Sequence, residues 1–398
     1  MSSNAPGLFP ELVRNPPDSR TTGLLPSQRL EEMIDAGRIR AKAPISSDQI
    51  QPSSIDLRLG SIAYRVQASF LPGSNATVQG KLQGLKCDEI DLSKPAVLEK
   101  GSVYIVPLQE ELSLPEDYSG KANPKSTTGR LDVFTRLITD YGEAFEEISE
   151  GYKGKLYAEI VPLTFRVAVR EGTRLNQLRI RRGNPPLFDS TLQELHGRDP
   201  IVYSQDALPA EPLIARGLNL SVDLQGLGGS DVVGYRAKKN CPPIDLAKVN
   251  HYDPQDFWEP LYRSSDRSIA LMPGEFYILA SKEKVTVPPH MAAEMLPFDP
   301  TFGEFRIHYA GFFDPGFGWN AERPTGSHAV LEVRSHEIPS LLEHGQTVCR
   351  LNYEHLIAPP ARLYGRDIGS SYQSQHLTLS KQFKPWTNLE LALNTGSR

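Results

Sequence analysis

Gly101-Ser-Val-Tyr104-Ile105 returns 173 residues later as Gly274-Glu-Phe-Tyr277-Ile278. Each stretch leaves a turn residue and enters a run of β-branched and aromatic side chains, the composition of a strand. At the same spacing Pro115 meets Pro288, Glu159 meets Glu332, Gly172 meets Gly345 and Leu178 meets Leu351. Further upstream, Ser54-Ile-Asp56-Leu57 has a looser counterpart in Ser221-Val-Asp223-Leu224, and Tyr64-Arg65 in Tyr235-Arg236. One or two such matches arise by chance, but a constant spacing over about 80 residues does not. The chain reads as two tandem copies of one β-rich domain.

The rest of the sequence is consistent with that. Its 398 residues exceed one compact domain and suit two. Short apolar runs at 102–107, 155–161 and 276–280 are separated by turn residues, and 33 prolines favour strands and turns over long helices. One helix is expected over residues 26–39, where Leu30, Met33 and Ile34 share a face and Gly37 lies near the end. The polar, Pro-rich residues 1–22 read as a disordered arm. Prolines cluster again between Pro185 and Pro212, so the copies are expected at 23–195 and 212–398.

Lys and Arg number 43 against 48 Asp and Glu, a net charge of −5. That balance excludes a broadly basic surface for nucleic acid but leaves room for a small anion held by a few local cations. Cys87, Cys241 and Cys349 form no short-range pair, which fits a reducing cytoplasm. No run of about 18 apolar residues exists to span a membrane.

Four stretches could carry chemistry. Lys125-Ser-Thr-Thr-Gly-Arg130 sets hydroxyls, a glycine and two cations within six residues, which is either a solvated turn or a phosphate cradle. It lacks the spacing of a P-loop. Asp314-Pro-Gly-Phe317 is a turn by its own chemistry. Glu332 lies in the apolar run Ala329-Val-Leu331-Glu-Val333; facing inward it would have a raised pKa suited to proton transfer, and facing outward it is a surface carboxylate. Tyr364 and Ser371-Tyr-Gln-Ser-Gln375 are either a frayed terminus or a cover over a ligand. The nine histidines make no metal-ligand pattern.

In order, the helix ending Ala36-Gly-Arg-Ile39, the run Ile50-Gln-Pro-Ser-Ser-Ile-Asp-Leu-Arg-Leu-Gly60, Lys125–Arg130, Tyr309-Ala-Gly-Phe-Phe-Asp-Pro-Gly-Phe317, Leu331-Glu332 and the closing Tyr372-Gln-Ser-Gln375 resemble the dCTP deaminase family of the dUTPase-like superfamily. The resemblance implies a mainly β protein, with two tandem dUTPase-like barrel or sandwich domains and a short N-terminal helix. It implies hydrolysis of dCTP to dUTP and ammonia, supplying dUTP toward thymidylate synthesis. By the same resemblance Lys125, Ser126, Thr127, Thr128, Gly129 and Arg130 would hold phosphates, with Ser126 and Arg130 also orienting the water and the base. Glu332 would be the general base, with Glu159 its rival. Ala310 and Leu331 would line the base pocket, Asp314 would hold the 3′-hydroxyl, and Tyr364, Ser371 and Gln375 would close over the nucleotide.

The copies differ. The second has Phe298-Asp-Pro-Thr-Phe-Gly-Glu304 where the Ser…Arg segment should be, yet keeps the fuller Asp-Pro-Gly run and the tail. Division of labour is therefore expected, with a phosphate cradle from the first copy and a base pocket and Glu332 from the second. Zinc deaminases need an H-x-E…P-C-x-x-C set that this chain lacks, so water must be activated by a carboxylate. Mg²⁺ is expected only as company for the triphosphate, and a homo-oligomer is expected by resemblance. The alternatives are a dUTP pyrophosphatase or bifunctional enzyme yielding dUMP, and a non-catalytic nucleotide-binding or structural β protein.

Overall fold

The computed structural model describes residues 20–183, 187–297, 305–307, 311–320, 325–335, 337–365 and 377–386. In the first copy the principal elements are α1 (Ser27–Asp35), β1 (Ile55–Arg58), β2 (Ile62–Val66), α2 (Val78–Leu85), β3 (Val103–Ser113), β4 (Tyr118–Pro124), the one-turn α3 (Ser126–Gly129), β5 (Val133–Thr139), β6 (Lys153–Pro162) and β7 (Arg174–Arg182). A connecting helix, α4 (Asp189–Arg198), follows. The second copy contains β8 (Leu218–Ser221), β9 (Val232–Ala237), β10 (Phe276–Val285), β11 (Met291–Pro297), β12 (Phe312–Phe313), β13 (Ser327–Ser335) and β14 (Thr347–His355).

Strand order reproduces the repeat. The first copy lays β2-β3-β6-β5 side by side and the second lays β9-β10-β13 in the same sequence, while β1-β7-β4 corresponds to β8-β14-β11. Register agrees residue by residue. Tyr64 and Glu159 both lie opposite Ile105, and Tyr235 and Glu332 both lie opposite Ile278. The chain is thus mainly β, in two tandem domains of one design.

One expected pairing is corrected. Ile55 lies opposite Leu178 and Leu218 opposite Leu351, so Ile55-Asp56-Leu57 corresponds to Leu218-Asn219-Leu220, not to Val222-Asp223-Leu224. The error is four residues. An even shift keeps every side chain on its face, so alternation alone cannot reveal it.

Local structure departs from expectation in three further places. The first helix stops at Asp35, because Gly37 takes a left-handed turn at φ +66°, and buried Ile39 then joins β3 through a short strand, Ile39–Ala41. Two helices, α2 and α4, form outside the one helix expected at 26–39. Leu192 and Leu195 of α4 pack into the second copy's core, so position 195, the expected end of the first copy, falls within that helix.

The copies interlock. The two-residue strand Ile244–Asp245 of the second copy pairs in parallel with Val167–Val169 of the first. Phe257 and Trp258 meet Phe165 edge-on at 5.9 and 5.4 Å. Buried Arg179 of β7 crosses to the second copy and donates to the carbonyls of Ala293 and Phe313, both at 2.9 Å. Its guanidinium also lies 4.0 Å from the ring centre of Phe312. Lys121 and Asn123 of β4 bind Glu294 of β11 at 2.8 and 3.0 Å. Among the described residues, no helix is long and apolar enough to cross a membrane.

Candidate functional site

The strand β13 decides where Glu332 goes. Leu331 and Val333 point into the second copy's core, so the alternate residues Val330, Glu332 and Arg334 face the first copy. Val330 packs into the first copy's core, and Arg334 donates to Asp132 at 2.9 Å. Between them Glu332 stands 4.0 Å from Nε of Arg130. Both are almost wholly buried, at 6% and 2% exposure. Burial pushes the Glu332 carboxyl up to about 7, against the pull of Arg130. The inward reading of Glu332 is the one the fold adopts.

Arg130 arrives from α3. Lys125 precedes that turn and pairs with Asp56 of β1. The Thr128 hydroxyl donates to the carbonyl of Leu175 at 3.0 Å and pins the turn to β7. Ser126 and Thr127 are half-buried, and Thr128 and Gly129 are buried. The C-terminal segment lies across the same turn. Arg130 donates to the carbonyl of Thr378 at 2.9 Å, and the Ser380 hydroxyl donates to the carbonyl of Thr127 at 3.0 Å.

Asp314 faces the first copy as well. Its Oδ1 accepts from Ser53 at 2.8 Å and lies 3.4 Å from Arg179. Half-buried Tyr364 packs against the same turn, with its backbone N–H on Pro315 at 2.9 Å and its ring 5.9 Å from that of Phe317. Gly316 has φ +96°, and a Cβ there would lie 3.1 Å from the Tyr364 nitrogen, so the turn requires glycine.

The cradle, Glu332, Asp314, Tyr364 and the segment 377–386 therefore meet at one junction between the copies. Leu331 reaches the core with its side chain and can offer a ligand only its backbone. Ala310, Ser371 and Gln375 lie outside the described residues, as does 298–304. Ser53, Asp56, Arg179 and Thr378 belong to this junction but were not picked out in the sequence. Ser53 and Asp56 fall in the 50–60 run but are given no role there, Arg179 and Thr378 fall in no motif, and each of the four takes a partner more than 65 residues away.

Glu159 is in a different situation. It is fully buried, and Arg136 of the same copy donates to it at 3.0 Å. Arg136 is itself stacked 3.4 Å from the ring centre of Phe145 and bonded to Ser69 at 2.9 Å. The face of β6 that matches the Glu332 face of β13 is covered by the first copy's own residues 66–85, with Tyr157 packed among Val66, Val78 and Leu82. Asp140 accepts from the Val78 N–H at the start of α2 at 2.8 Å, and the strand register places Ser149-Glu-Gly151 where the second copy has Asp314-Pro-Gly316.

Residues 21–184 match the 2′-deoxycytidine 5′-triphosphate deaminase (DCD) N-terminal domain, and residues 188–383 match the C-terminal domain of the same family. The chain belongs to the dCTP deaminase family. A 2′-deoxycytidine 5′-triphosphate deaminase from Agrobacterium tumefaciens, known from its crystal structure, is 51% identical with a TM-score of 0.81, covering 85% of this chain and 100% of that one. The "dCTP deaminase, dUMP-forming" of Streptomyces avermitilis is 30% identical over 165 residues, 41% of this chain and 82% of that protein. The "dCTP deaminase" of Shewanella amazonensis is 29% identical over 171 residues, covering 40% and 82%. Relatives of about half the length thus share one β domain with this dCTP deaminase family member, which carries two.

Proposed function

We propose that this chain hydrolyses dCTP to dUTP and ammonia at the junction between its two copies, with Glu332 as general base and no zinc. The observation that carries the proposal is the buried pair of Arg130 from one copy and Glu332 from the other. A carboxyl poised near neutrality can accept a proton from water as the oxygen adds to C4 of cytosine. That proton passes to N3, the hydroxyl of the adduct then gives its proton through Glu332 to the exocyclic amine, the C4–N bond breaks, and ammonia leaves as the C4 carbonyl forms. Arg130 keeps the returning carboxylate charge compensated in a dry site. Ser126 and Thr127 offer hydroxyls and backbone N–H groups to the phosphates, and Mg²⁺ accompanies the triphosphate as part of the substrate. Asp314 has Oδ1 engaged by Ser53 and Arg179, which fixes the carboxylate and leaves Oδ2 to receive the 3′-hydroxyl.

A second reading is favoured by the relatives' names, since one is dUMP-forming and another is not. Hydrolysis at the α-phosphate would then follow deamination. Incubation with dCTP and Mg²⁺, with ammonia, dUTP, dUMP and pyrophosphate measured together, separates these outcomes. Ammonia with matching dUTP supports deamination alone, and dUMP with pyrophosphate supports the bifunctional enzyme. Binding without turnover would reject both.

A further inference from the structure

Two residues beyond Glu332, Arg334 brings a second cation to the same face of β13. Alternate residues of a strand share a face and stand about 7 Å apart, within reach of an arginine–glutamate ion pair. Left to itself, Arg334 would close on Glu332. This neighbour is particular to the copy that carries the candidate base. Glu159 and Glu332 lie opposite the matching Ile105 and Ile278, so the first copy's counterpart of Arg334 is Val161.

Arg334 is instead drawn across the junction to Asp132. Its Nη2 and Nε donate to one Asp132 oxygen at 2.9 and 3.2 Å. Nη2 also donates to the Thr164 hydroxyl at 3.1 Å, and that hydroxyl donates to Asp132 at 2.6 Å. Asp132 is wholly buried, and its main chain is tied on both sides: its N–H donates to the Gly129 carbonyl and its carbonyl accepts from the Leu163 N–H, each at 2.9 Å. It holds the left-handed region at φ +53°, which glycine would enter without strain, so what this side chain adds is its carboxylate. Arg130 and Asp132, two residues apart in the first copy, thus face Glu332 and Arg334, two residues apart in the second, with the charges in opposite order.

We propose that Asp132 is a positioning residue for the deamination: by taking Arg334 it keeps that cation off Glu332 and leaves the carboxylate to Arg130 and the attacking water. The assignment rests on the deaminase reading, in which Glu332 takes the water's proton. A carboxylate captured by a second guanidinium has its oxygens engaged and holds a proton less strongly. Asp132 prevents this without touching substrate or water. A purely structural ion pair fails alike whichever partner is removed, whereas this arrangement fails chiefly when Asp132 is removed.

Steady-state kinetics and thermal melts of full-length Asp132→Asn, Arg334→Gln and the double variant test this. Asp132→Asn should lower kcat for ammonia release from dCTP by at least about tenfold, part of what a positioned base supplies, with KM within about threefold of wild type. Arg334→Gln removes the competing cation along with the pair, so its kcat should exceed that of Asp132→Asn by about tenfold, although it melts earlier than wild type. Adding Arg334→Gln to Asp132→Asn should likewise raise kcat about tenfold, because the freed cation is gone. Wild-type kcat in Asp132→Asn, equal losses in the two single variants, or a double variant no better than Asp132→Asn would each overturn the proposal and leave the pair as structure. Where Asp132→Asn does not fold, Arg334→Gln decides: a loss in kcat below about tenfold supports the proposal and a larger one overturns it. Wild-type chain that releases no ammonia rejects the deaminase reading and the proposal with it, whereas an active wild type with equal losses in the single variants rejects the proposal alone.

Discussion

Glu332 is held near its midpoint at neutral pH by two opposed effects, burial raising its pKa and Arg130 lowering it. As a general base it must be ionised, so kcat/KM should fall on the acid side with a midpoint near 7. Glu332→Gln should lose about 100- to 10,000-fold in kcat, the usual worth of a positioned base. Glu159→Gln should retain most of its turnover, since that carboxylate is bonded to Arg136 within its own copy. Full activity in Glu332→Gln would sink the assignment. Stability offers an independent check. Folding raises this carboxyl from its ordinary 4.5 to about 7, so between those values the folded state binds more protons than the unfolded chain. Its favourable contribution is complete below 4.5 and is lost as pH rises through 7. At pH 8 the ionised group opposes folding by up to about 3 kcal/mol, from the linkage of pKa to stability. Thermal melts should therefore find Glu332→Gln more stable than wild type at about pH 8, with the difference vanishing near pH 4.

At the scale of elements, the C-terminal segment connects the site to a core. Phe383 is buried and meets the rings of Phe257 and Trp258 at 5.3 and 6.0 Å, and its backbone bridges to Tyr252. A few residues earlier, Thr378 and Ser380 hold α3. Phe383→Ala should cost about 3–5 kcal/mol in urea unfolding, as for other large-to-small core changes, and should raise KM by loosening the segment over α3. An unchanged KM despite the lost stability would detach the aromatic anchor from the site. What the sequence reveals and conceals divides along similar lines. Glycine–aromatic strand starts at constant spacing expose the duplication, because a β domain needs its turns and inward faces in fixed order. Ser54-Ile-Asp56-Leu57 was matched four residues late, because alternation is blind to even shifts. The inward direction of Glu332 becomes legible only once Leu331 and Val333 are known to lie in a core. Arg179 carries no local signal at all, as its meaning comes from partners on distant strands.

At the scale of the whole molecule, the asymmetry of the copies bears on how many sites a chain can hold. Equivalent faces of β6 and β13 are covered differently: the first by its own α2 and Tyr157 cluster, the second by the other copy. Where Glu332 has Arg130 across a junction, Glu159 is tied to Arg136. Where the second copy has the carboxylate of Asp314, the first has only the hydroxyl of Ser149, since Leu114 bonds to Tyr152 as Val287 bonds to Phe317. On the deaminase reading the β6 face of the first copy serves as structure, and its Lys125–Arg130 turn serves the other copy's pocket. Arg130 and Glu332 meet within one chain, which gives one such pair per chain. Calorimetric titration of the full-length Glu332→Gln chain with dCTP, which removes turnover, should find one nucleotide per chain. The measured stoichiometry should not change when light scattering shows the chain as a monomer or as a larger assembly. Two nucleotides per chain would mean that the α2 cover opens and that Glu159 serves a second pocket. A second nucleotide per chain, in that pocket or elsewhere, would overturn the argument from unequal copies.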